Sequence, residues 1–335
     1  MKAAQIKKYA KKSRVTVEQV PVPKITPTEV LIKVTYAAVN PLEELITSGS
    51  VRLIQSYDFP LTLGNELSGI IVAKGSDVKD FEIGDAVYTR LPLQKIGAFA
   101  EFVATAAMAV AKVPRNLDMA QAAAVPLTGL TAYQIFHEIL TVSAGETVFI
   151  PGGSGSFGQM AIPIAKLLGL NVIVSGNSSA EKRSLEAGAD RYFDYRTTNY
   201  WEVLSDVDYV IDTLGTSELE HELSIMKPTG ALVSLRMGPN QAFAESQSLP
   251  FWKKAIFKLA GSAIDRKAKK ANVTYHFVFV HADGAALKQI TDLVEHNGIV
   301  PAIDPRIFTL DQVTDALALM STGHLSGKVL IAMDA

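Results

Sequence analysis

The first third of the chain alternates hydrophobic and polar positions at short intervals, a pattern that predicts β-strands. Strand-like pieces occupy residues 15–39, 67–73, 86–89 and 98–104, with glycine, proline and aspartate residues between them. Closely spaced strands separated by turn residues predict a compact β-rich domain.

The pattern changes after Asp118, where two helical stretches at 120–125 and 131–140 precede a regular alternation of strands and helices. The predicted strands are 148–150, 172–174, 209–211, 231–235 and 277–280, and the predicted helices are 157–168, 180–187 and 218–226, the last opened by a capping box from Ser217 to Glu220. Alternating units of this length predict a Rossmann-type, doubly wound parallel sheet.

From about residue 300 the chain returns to irregular and strand-like sequence, with a predicted helix near 311–320 and a final strand at 328–333. We therefore predict an α/β protein of two domains. A Rossmann domain formed by residues 125–299 is inserted into a β-rich domain formed by residues 1–124 and 300–335.

Composition and charge exclude some classes of function for this chain. Of the 335 residues, 48% are hydrophobic and 20% are charged, and the formal net charge is −2. The chain as a whole therefore has no attraction for nucleic acid or for an anionic membrane. No apolar run approaches the ~18 residues of a membrane span, and the start lacks the apolar stretch of a secretory signal. We expect a cytoplasmic protein without nucleic-acid or membrane partners.

The chain contains no cysteine. This excludes disulfides, thiolate nucleophiles and every zinc site with cysteine ligands. The histidines form no trio at metal-ligand spacing, and His276 and His281 on a predicted strand edge fit satisfied or exposed side chains better. We expect no bound metal.

A glycine-rich turn follows the predicted strand 148–150. Gly153, Gly155 and Gly158 have the spacing GxGxxG and stand where the strand gives way to a helix. In this context the first glycine permits a tight turn, the second lets a pyrophosphate approach the backbone, and the third lets helix and strand pack closely. The alternative is a tight turn with no ligand, but the surrounding strands and helix favour dinucleotide binding.

The next predicted strand runs into a polar segment, residues 175–179, that contains no acid, and Lys182 and Arg183 follow. An NAD enzyme normally holds the ribose 2′-hydroxyl with Asp or Glu at this place, and such a carboxylate would repel a 2′-phosphate. Hydroxyl and amide donors beside a cation suit that phosphate, which favours NADPH over NADH. The alternative is a simple polar loop and helix cap.

Residues 252–272 combine apolar residues with lysine and arginine and predict an amphipathic helix. Two interpretations remain open for this basic segment. It is either a solvated helix face, which is the commoner case, or a lid over the substrate or a contact for an acidic partner.

The chain resembles the zinc-free branch of the medium-chain dehydrogenase/reductase superfamily, the quinone oxidoreductase and enone reductase group. The resemblance spans nearly the whole chain and rests on segments in the same order. They are AAVNPLEELITSG (37–49), PLTLGNELSGII (60–71), GDAVY (84–88), AAAVPLTGLTAY (122–133), GGSGSFG (152–158), LEAGADRYFDYR (185–196), VDYVIDTLG (207–215) and GKVLI (327–331).

The resemblance implies a GroES-like catalytic domain, NADPH as cofactor, a cleft between the domains and often a homodimer. Zinc-dependent relatives have a histidine ligand where this chain has Asn65. For the dimer, the predicted strand near 273–280 at the end of the sheet offers an edge that can pair across a two-fold axis. The residues implied to bind the cofactor are Thr128, Gly153, Gly155, Ser156, Phe157, Gly158, Ser175, Asn177, Ser178, Arg183, Tyr195, Leu214, Gly215, Leu235, Arg236, Phe277 and Phe279.

By the same resemblance, Asn40 and Glu43 match the family's Asn-x-x-Asp pair near the substrate. Asn40 before Pro41 also fits a plain turn residue. Leu45 stands where quinone oxidoreductases often have tyrosine and plant enone reductases lysine, and Tyr57 is a candidate for the missing hydroxyl or a packing residue. Glu66 fits a buried carboxylate paired with a neighbouring base.

These observations favour hydride transfer from NADPH to a small-molecule quinone or α,β-unsaturated carbonyl, with Asn40, Glu43 and Tyr57 as the catalytic candidates. Such an acceptor needs hydrogen-bond donors toward its oxygen and no metal. Two alternatives stay open. One is a zinc-free alcohol or carbonyl reductase, and the other is a non-catalytic NADPH-binding or sensor protein.

Overall fold

The computed structural model describes residues 1–11, 14–322 and 325–333. Its strands are β1 Lys2–Ile6, β2 Thr16–Gln19, β3 Glu29–Val39, β4 Leu61–Thr62, β5 Glu66–Lys74, β6 Ala86–Arg90, β7 Phe102–Ala106, β8 Val110–Lys112, β9 Thr147–Ile150, β10 Asn171–Gly176, β11 Arg191–Asp194, β12 Val207–Asp212, β13 Met226–Ser234, β14 Thr274–Phe277, β15 Ile303–Thr309 and β16 Lys328–Ala332.

The helices alternate with the strands mainly in the second half of the chain. They are α1 Pro41–Thr47, α2 Met119–Ala123, α3 Pro126–Gln134, α4 Ser156–Leu167, α5 Glu181–Glu186, α6 Tyr200–Val203, α7 Leu219–Ile225, α8 Gln241–Ser246, α9 Phe251–Lys270, α10 Gly284–Asn297 and α11 Val313–Thr322. None of the helices within the described ranges is long and apolar enough to cross a membrane.

The chain divides into two compact units. The terminal unit comprises Met1–Leu130 and His281–Ala335, and the central unit is Thr131–Val280. The insertion predicted from the sequence is thus found, but with boundaries different from the predicted 125–299. The central unit ends at Val280 and not at 299, because α10 packs within the terminal unit. There the Tyr88 hydroxyl donates to the Leu287 carbonyl over 3.0 Å.

The central unit is a six-stranded sheet in the order β11-β10-β9-β12-β13-β14, and every pairing in it is parallel. This order confirms the predicted Rossmann-type topology, in which ligands bind at the carboxyl ends of the strands. Strand β14 is the free edge on which the expectation of a homodimer rests, and the dimer stays a prediction.

Two predicted details of the central unit are wrong. The last strand is Thr274–Phe277 and not 277–280, because it pairs with β13, which ends at Ser234, the register partner of Phe277. Helix α7 has no capping box from Ser217, because the residue at its start is Glu218, whose backbone is already helical and whose side chain makes no cap bond.

The terminal unit contains a seven-stranded sheet whose main path is β15-β16-β3-β5-β6-β8, with β7 paired to β3. A smaller sheet follows the order β2-β1-β4. Strand β1 was not predicted, since its short run KAAQI has no alternation. The long strand β3 is central because it pairs with β5, β7 and β16. Its pairing with β16 joins the first part of the chain to the last strand.

Candidate functional site

The glycine-rich turn of the central unit lies between β9 and α4, with Gly155 at the start of the helix. A Cβ atom on Gly158 would lie 1.8 Å from the Gly153 carbonyl oxygen, so only glycine fits there. A Cβ atom on Gly155 would meet nothing within 4 Å. The third glycine therefore closes the helix onto the strand, while the second faces open space.

The first turn of α4 contains Ser156 and Phe157, as the sequence predicted. Amide N–H groups in the first turn of a helix have no partner within the helix, and with the helix dipole they form a site for a phosphate. Together with the open space before Gly155, this arrangement fits the diphosphate of a dinucleotide.

The end of strand β10 carries the residues predicted for the adenosine side. Ser175 is buried, and Asn177 and Ser178 follow the strand as the chain turns toward α5. The Arg183 guanidinium donates to the Ser154 carbonyl over 3.0 Å, so it is held against the glycine-rich turn. The structure thus brings this arginine and the turn together, although 25 positions separate Arg183 from Gly158.

The neighbouring strand β11 adds two residues that the sequence reasoning did not weigh. Asp194 is the register partner of Gly176, and its carboxylate accepts the Arg196 backbone N–H at 2.9 Å. The Arg196 guanidinium lies over the ring of Tyr195, 5.6 Å from its centre, and Tyr195 is 59% exposed. Asp194 ends β11 and not β10, so the end of β10 remains free of acids.

Asp212 at the end of β12 holds two loops that carry predicted cofactor residues. Its Oδ1 accepts the N–H groups of Leu214 and Gly215 at 2.7 Å each, and its Oδ2 accepts the Ser234 hydroxyl at 2.5 Å. Ser234 Oγ in turn accepts the N–H groups of residues 236 and 237. The backbones of Leu214, Gly215 and Arg236, next to Leu235, are thus fixed by one buried pair that sequence reasoning missed.

A second buried carboxyl group, Glu222 on α7, lies near Asp212. Neither of its oxygens has a hydrogen-bond partner among the residues described. Burial, together with the negative charge of Asp212, raises the pKa of Glu222 to about 10. Glu222 is therefore protonated at neutral pH in the folded protein.

We expect Glu222→Gln to stabilise the protein, and to do so more as the pH rises. In the unfolded chain the pKa of Glu222 is near its ordinary value of 4.5. Glu222 therefore makes its full contribution to the free energy of unfolding below about pH 4.5, and this contribution decreases steadily as the pH rises to about 10. Glutamine has no such loss. The free energy of unfolding in urea should rise by about 1–3 kcal/mol at about pH 8, and less at about pH 6. A gain that does not depend on pH would contradict this assignment.

Phe277 and Phe279, predicted to line the cleft, both pack against Phe243. The ring centres are 5.2 Å and 6.5 Å from that of Phe243, with edge-to-face geometry. Phe243 belongs to α8, a helix without a predicted counterpart. Phe277 and Phe279 therefore form an aromatic cluster with Phe243, which packs the end of β14 and the residues after it against α8.

In the terminal unit, Asn40 and Glu43 lie at the start of α1 and are both buried. The Glu43 carboxylate accepts the Asn40 backbone N–H at 2.6 Å and the Asn65 side-chain amide at 2.7 Å. Burial raises the pKa of Glu43 to about 7, because these hydrogen bonds only partly offset the loss of solvation. The carboxyl group therefore changes its charge near neutral pH.

Glu66 is fully buried and is paired with Lys328, which confirms the predicted pairing with a base. The Lys328 ammonium lies 2.8 Å from Glu66 Oε1 and donates to the Asn40 side-chain carbonyl over 2.6 Å. Asn40 donates to the same Glu66 oxygen over 2.9 Å, and the Leu127 N–H donates to the other oxygen over 2.6 Å. Residues from four distant parts of the chain thus form one hydrogen-bonded network.

Arg90 at the end of β6 is fully buried beside this network and was missed by the sequence reasoning. Its Nη1 donates to the Leu91 carbonyl, whereas Nε and Nη2 have no partner within the described ranges. These two nitrogens form one edge of the guanidinium and present parallel N–H groups. Burial lowers the pKa of Arg90 to about 10, against the raising effects of Tyr57, Glu66 and Glu43, so it stays charged at neutral pH.

Tyr57 lies near the same guanidinium, and its hydroxyl is likewise buried without a partner in the described part of the chain. Burial raises the pKa of Tyr57 to about 12, while the Arg90 charge lowers it. Its backbone N–H donates to the Tyr9 hydroxyl over 2.8 Å, which fixes the segment. Tyr57 is therefore a neutral hydrogen-bond donor at neutral pH.

The remaining predicted positions are less informative. The Thr128 hydroxyl is buried and donates to carbonyl groups of its own helix region, those of Ala124 and Val125. Leu45 is 44% exposed on α1. Neither position contributes a free polar group to the network around Glu66.

The residues around Asn65 do not offer the histidine and cysteine donors of a catalytic zinc site. Asn65 occupies the place of the histidine ligand, its amide nitrogen is engaged with Glu43, and the sequence has no cysteine. What the described residues offer instead is a pair of donors without a partner among them, Arg90 and Tyr57, near two buried carboxyl groups. Such donors stabilise negative charge that develops on an oxygen atom.

Two family profiles match the chain. "Alcohol dehydrogenase GroES-like domain" matches residues 26–115, and "Zinc-binding dehydrogenase" matches residues 187–331. The first of these confirms the predicted GroES-like domain.

Relatives and solved structures agree with these profiles. The chain is 31% identical over 328 residues to the Mus musculus protein named "NAD(P)H oxidoreductase RTN4IP1, mitochondrial", with 91% of this chain and 82% of that protein covered. It is 28% identical over 319 residues to the Arabidopsis thaliana "NADPH-dependent alkenal/one oxidoreductase, chloroplastic", covering 92% and 73%. The quinone oxidoreductase of Coxiella burnetii has a similar structure, with a TM-score of 0.82, 26% identity and 99% of both chains covered.

Proposed function

Because this chain belongs to the medium-chain dehydrogenase/reductase family and is an oxidoreductase of the NAD(P)H type, we propose that it reduces quinones or α,β-unsaturated carbonyls with NADPH and without zinc. The observation that carries the proposal is the buried Arg90 guanidinium, two of whose nitrogens have no partner among the described residues, with the Tyr57 hydroxyl, which also lacks one there, close enough to affect its pKa. A conjugated carbonyl that accepts hydride at carbon develops negative charge on its oxygen, and these groups would bind that oxygen.

The preference for NADPH rests on the central unit. Strand β10 ends without an acid, and Arg183 is held against the glycine-rich turn. Arg196, whose guanidinium lies over the Tyr195 ring, adds a second cation one strand away. Two arginines with the hydroxyl and amide groups of residues 175–178 suit a 2′-phosphate better than a 2′-hydroxyl.

NADPH supplies the hydride when it is bound. The protein's own residues would hold the substrate oxygen through Arg90 and Tyr57, and the network of Glu66, Lys328 and Asn40 joins the chain segments beside them. Hydride addition leaves the substrate as an anion, and a proton from water completes the reduction.

The test is a screen of NADPH oxidation with enones, quinones and saturated aldehydes, in the presence of a chelator. We expect turnover of conjugated acceptors, little turnover of saturated aldehydes, no effect of the chelator, and a kcat/KM for NADPH at least about tenfold that for NADH. Preference for saturated aldehydes would favour a carbonyl reductase instead. Binding of NADPH without turnover of any acceptor would reject the proposed reaction.

The proposal also predicts a pH dependence set by Glu43. With Glu43 ionised, the negative charges of Glu43 and Glu66 balance the positive charges of Arg90 and Lys328, whereas protonated Glu43 leaves one excess positive charge that favours an oxyanion. Since the pKa of Glu43 is about 7, kcat/KM should fall about tenfold between about pH 6 and about pH 8.5.

The variant Glu43→Gln should remove this inflection and keep most of the low-pH activity, because glutamine stays neutral. The matched control is Glu44→Gln, an exposed neighbour on the same helix, which should keep the inflection of the parent. If both variants show the same pH profile as the parent, Glu43 does not set the charge of the site.

A further inference from the structure

Helix α9 is a 20-residue helix of the central unit with two different apolar faces. Its buried residues are Phe257, Gly261, Ile264 and Ala268, and the last two belong to the hydrophobic core of the central unit. Their spacing of three and four residues places them on one side of the helix. This face accounts for the packing of α9 against the core of the central unit.

The outward face of α9 is also apolar over its first half. Phe251 is 86% exposed, Leu259 79% and Trp252 55%, and Ile256 is exposed with them. At about 100° per residue, Trp252, Ile256 and Leu259 form one row that points away from the buried face. Large exposed side chains in a continuous row indicate a surface that binds something apolar.

Basic residues surround this row. Helix α9 contains seven of them and one acid, Asp265, which gives it a formal charge of +6 in a chain whose total is −2. Lys254 and Lys258 flank the row on one side, and Lys253 on the other side lies 5.5 Å from the ring of Trp252. Of the nearby acids, Glu220 is paired with Lys267 at 2.6 Å.

We propose that α9 binds in the plane of an anionic lipid surface, with its row of Trp252, Ile256 and Leu259 inserted among the acyl chains and its lysines at the headgroups. An apolar row with lysines on both flanks is the arrangement of interfacial helices. A second copy of this chain is a poor occupant, because a symmetric contact would place one +6 helix against another. A lipid surface supplies both the apolar phase and the negative charge.

The first test measures binding of the whole protein to vesicles by flotation. We expect binding to vesicles of phosphatidylcholine and phosphatidylglycerol, little binding to phosphatidylcholine alone, and loss of binding at high salt. Equal binding to both kinds of vesicle, or binding that salt does not weaken, overturns the proposal.

Variants locate the surface on α9. The pair Lys254→Gln and Lys258→Gln should weaken binding to anionic vesicles about 25-fold, about fivefold for each charge removed. The pair Trp252→Ser and Leu259→Ser should weaken it at least about tenfold. Matched controls in the terminal unit are the exposed pairs Lys24→Gln with Lys79→Gln and Ile83→Ser with Met108→Ser, which should bind like the parent.

Tryptophan fluorescence gives an independent readout. The chain has two tryptophans, and Trp201 is stacked on His221 with ring centres 3.7 Å apart. Anionic vesicles should therefore shift the emission of Trp252 to shorter wavelength, and Trp252→Phe should lose the shift while still binding.

Light scattering tests whether a second copy of the chain covers this face. If Trp252→Ser with Leu259→Ser leaves vesicle binding unchanged but converts a larger species to a smaller one, a second copy covers this face and the proposal fails. A soluble protein that binds α9 more tightly than anionic vesicles do would overturn it as well.

Discussion

Lys328→Met should lower the free energy of unfolding by about 3–5 kcal/mol, because it leaves the fully buried Glu66 carboxylate without its cation. The same change removes the donor to the Asn40 side-chain carbonyl. The loss is measured by urea unfolding at neutral pH. Adding Glu66→Gln to Lys328→Met should recover most of it, because no buried charge is then left unpaired.

A surface ion pair provides the matched control. Lys112 and Asp85 lie 3.0 Å apart, but the lysine side chain is 59% exposed. Lys112→Met should cost no more than about 1 kcal/mol, since water replaces the lost partner. Equal losses for Lys112→Met and Lys328→Met would show that the buried network has no special importance for stability.

The second large effect is expected on activity. Arg90→Met should lower kcat for a conjugated carbonyl by about 10²- to 10³-fold, the usual effect of removing a donor to a developing oxyanion. Methionine fills similar space, and protonation of Glu43, whose pKa is about 7, offsets the lost positive charge, so the fold should persist. Steady-state kinetics and the midpoint of thermal unfolding separate the two effects.

Two comparisons make the result specific to the guanidinium. NADPH affinity should not change in Arg90→Met, because the glycine-rich turn belongs to the central unit. Arg52→Met, which removes an exposed arginine of the terminal unit, should have the kinetics of the parent. If Arg90→Met retains kcat within about threefold of the parent, Arg90 does not bind the reacting oxygen.

The local parts of the candidate cofactor site could be predicted from the sequence. The turn at Gly153, Gly155 and Gly158 is defined by residues that are close in the chain, and the contact that requires glycine at 158 involves a residue only five positions away. The alternation of strands and helices likewise predicted the parallel sheet, because each βα unit is a local element.

Contacts between distant parts of the chain could not be predicted from the sequence. Lys328 donates a hydrogen bond to Asn40, which lies 288 positions away in the sequence. That two nitrogens of Arg90 lack a partner among the described residues can be seen only in the folded structure. The ends of β14 and the place of α10 were misjudged for the same reason, since a register partner or a packing surface lies elsewhere in the chain. The sequence did predict the basic amphipathic helix at 252–272, but which of its apolar residues face outward depends on how α9 packs.

The sequence by itself therefore determined the order of elements, the glycine-rich turn and the lack of cysteine ligands, all of which depend on residue type and local spacing. The tertiary structure decided which buried groups are paired and which apolar residues of α9 face outward. Burial and pairing are set by residues that meet only after folding, and solvation of a charge or an apolar surface depends on those neighbours.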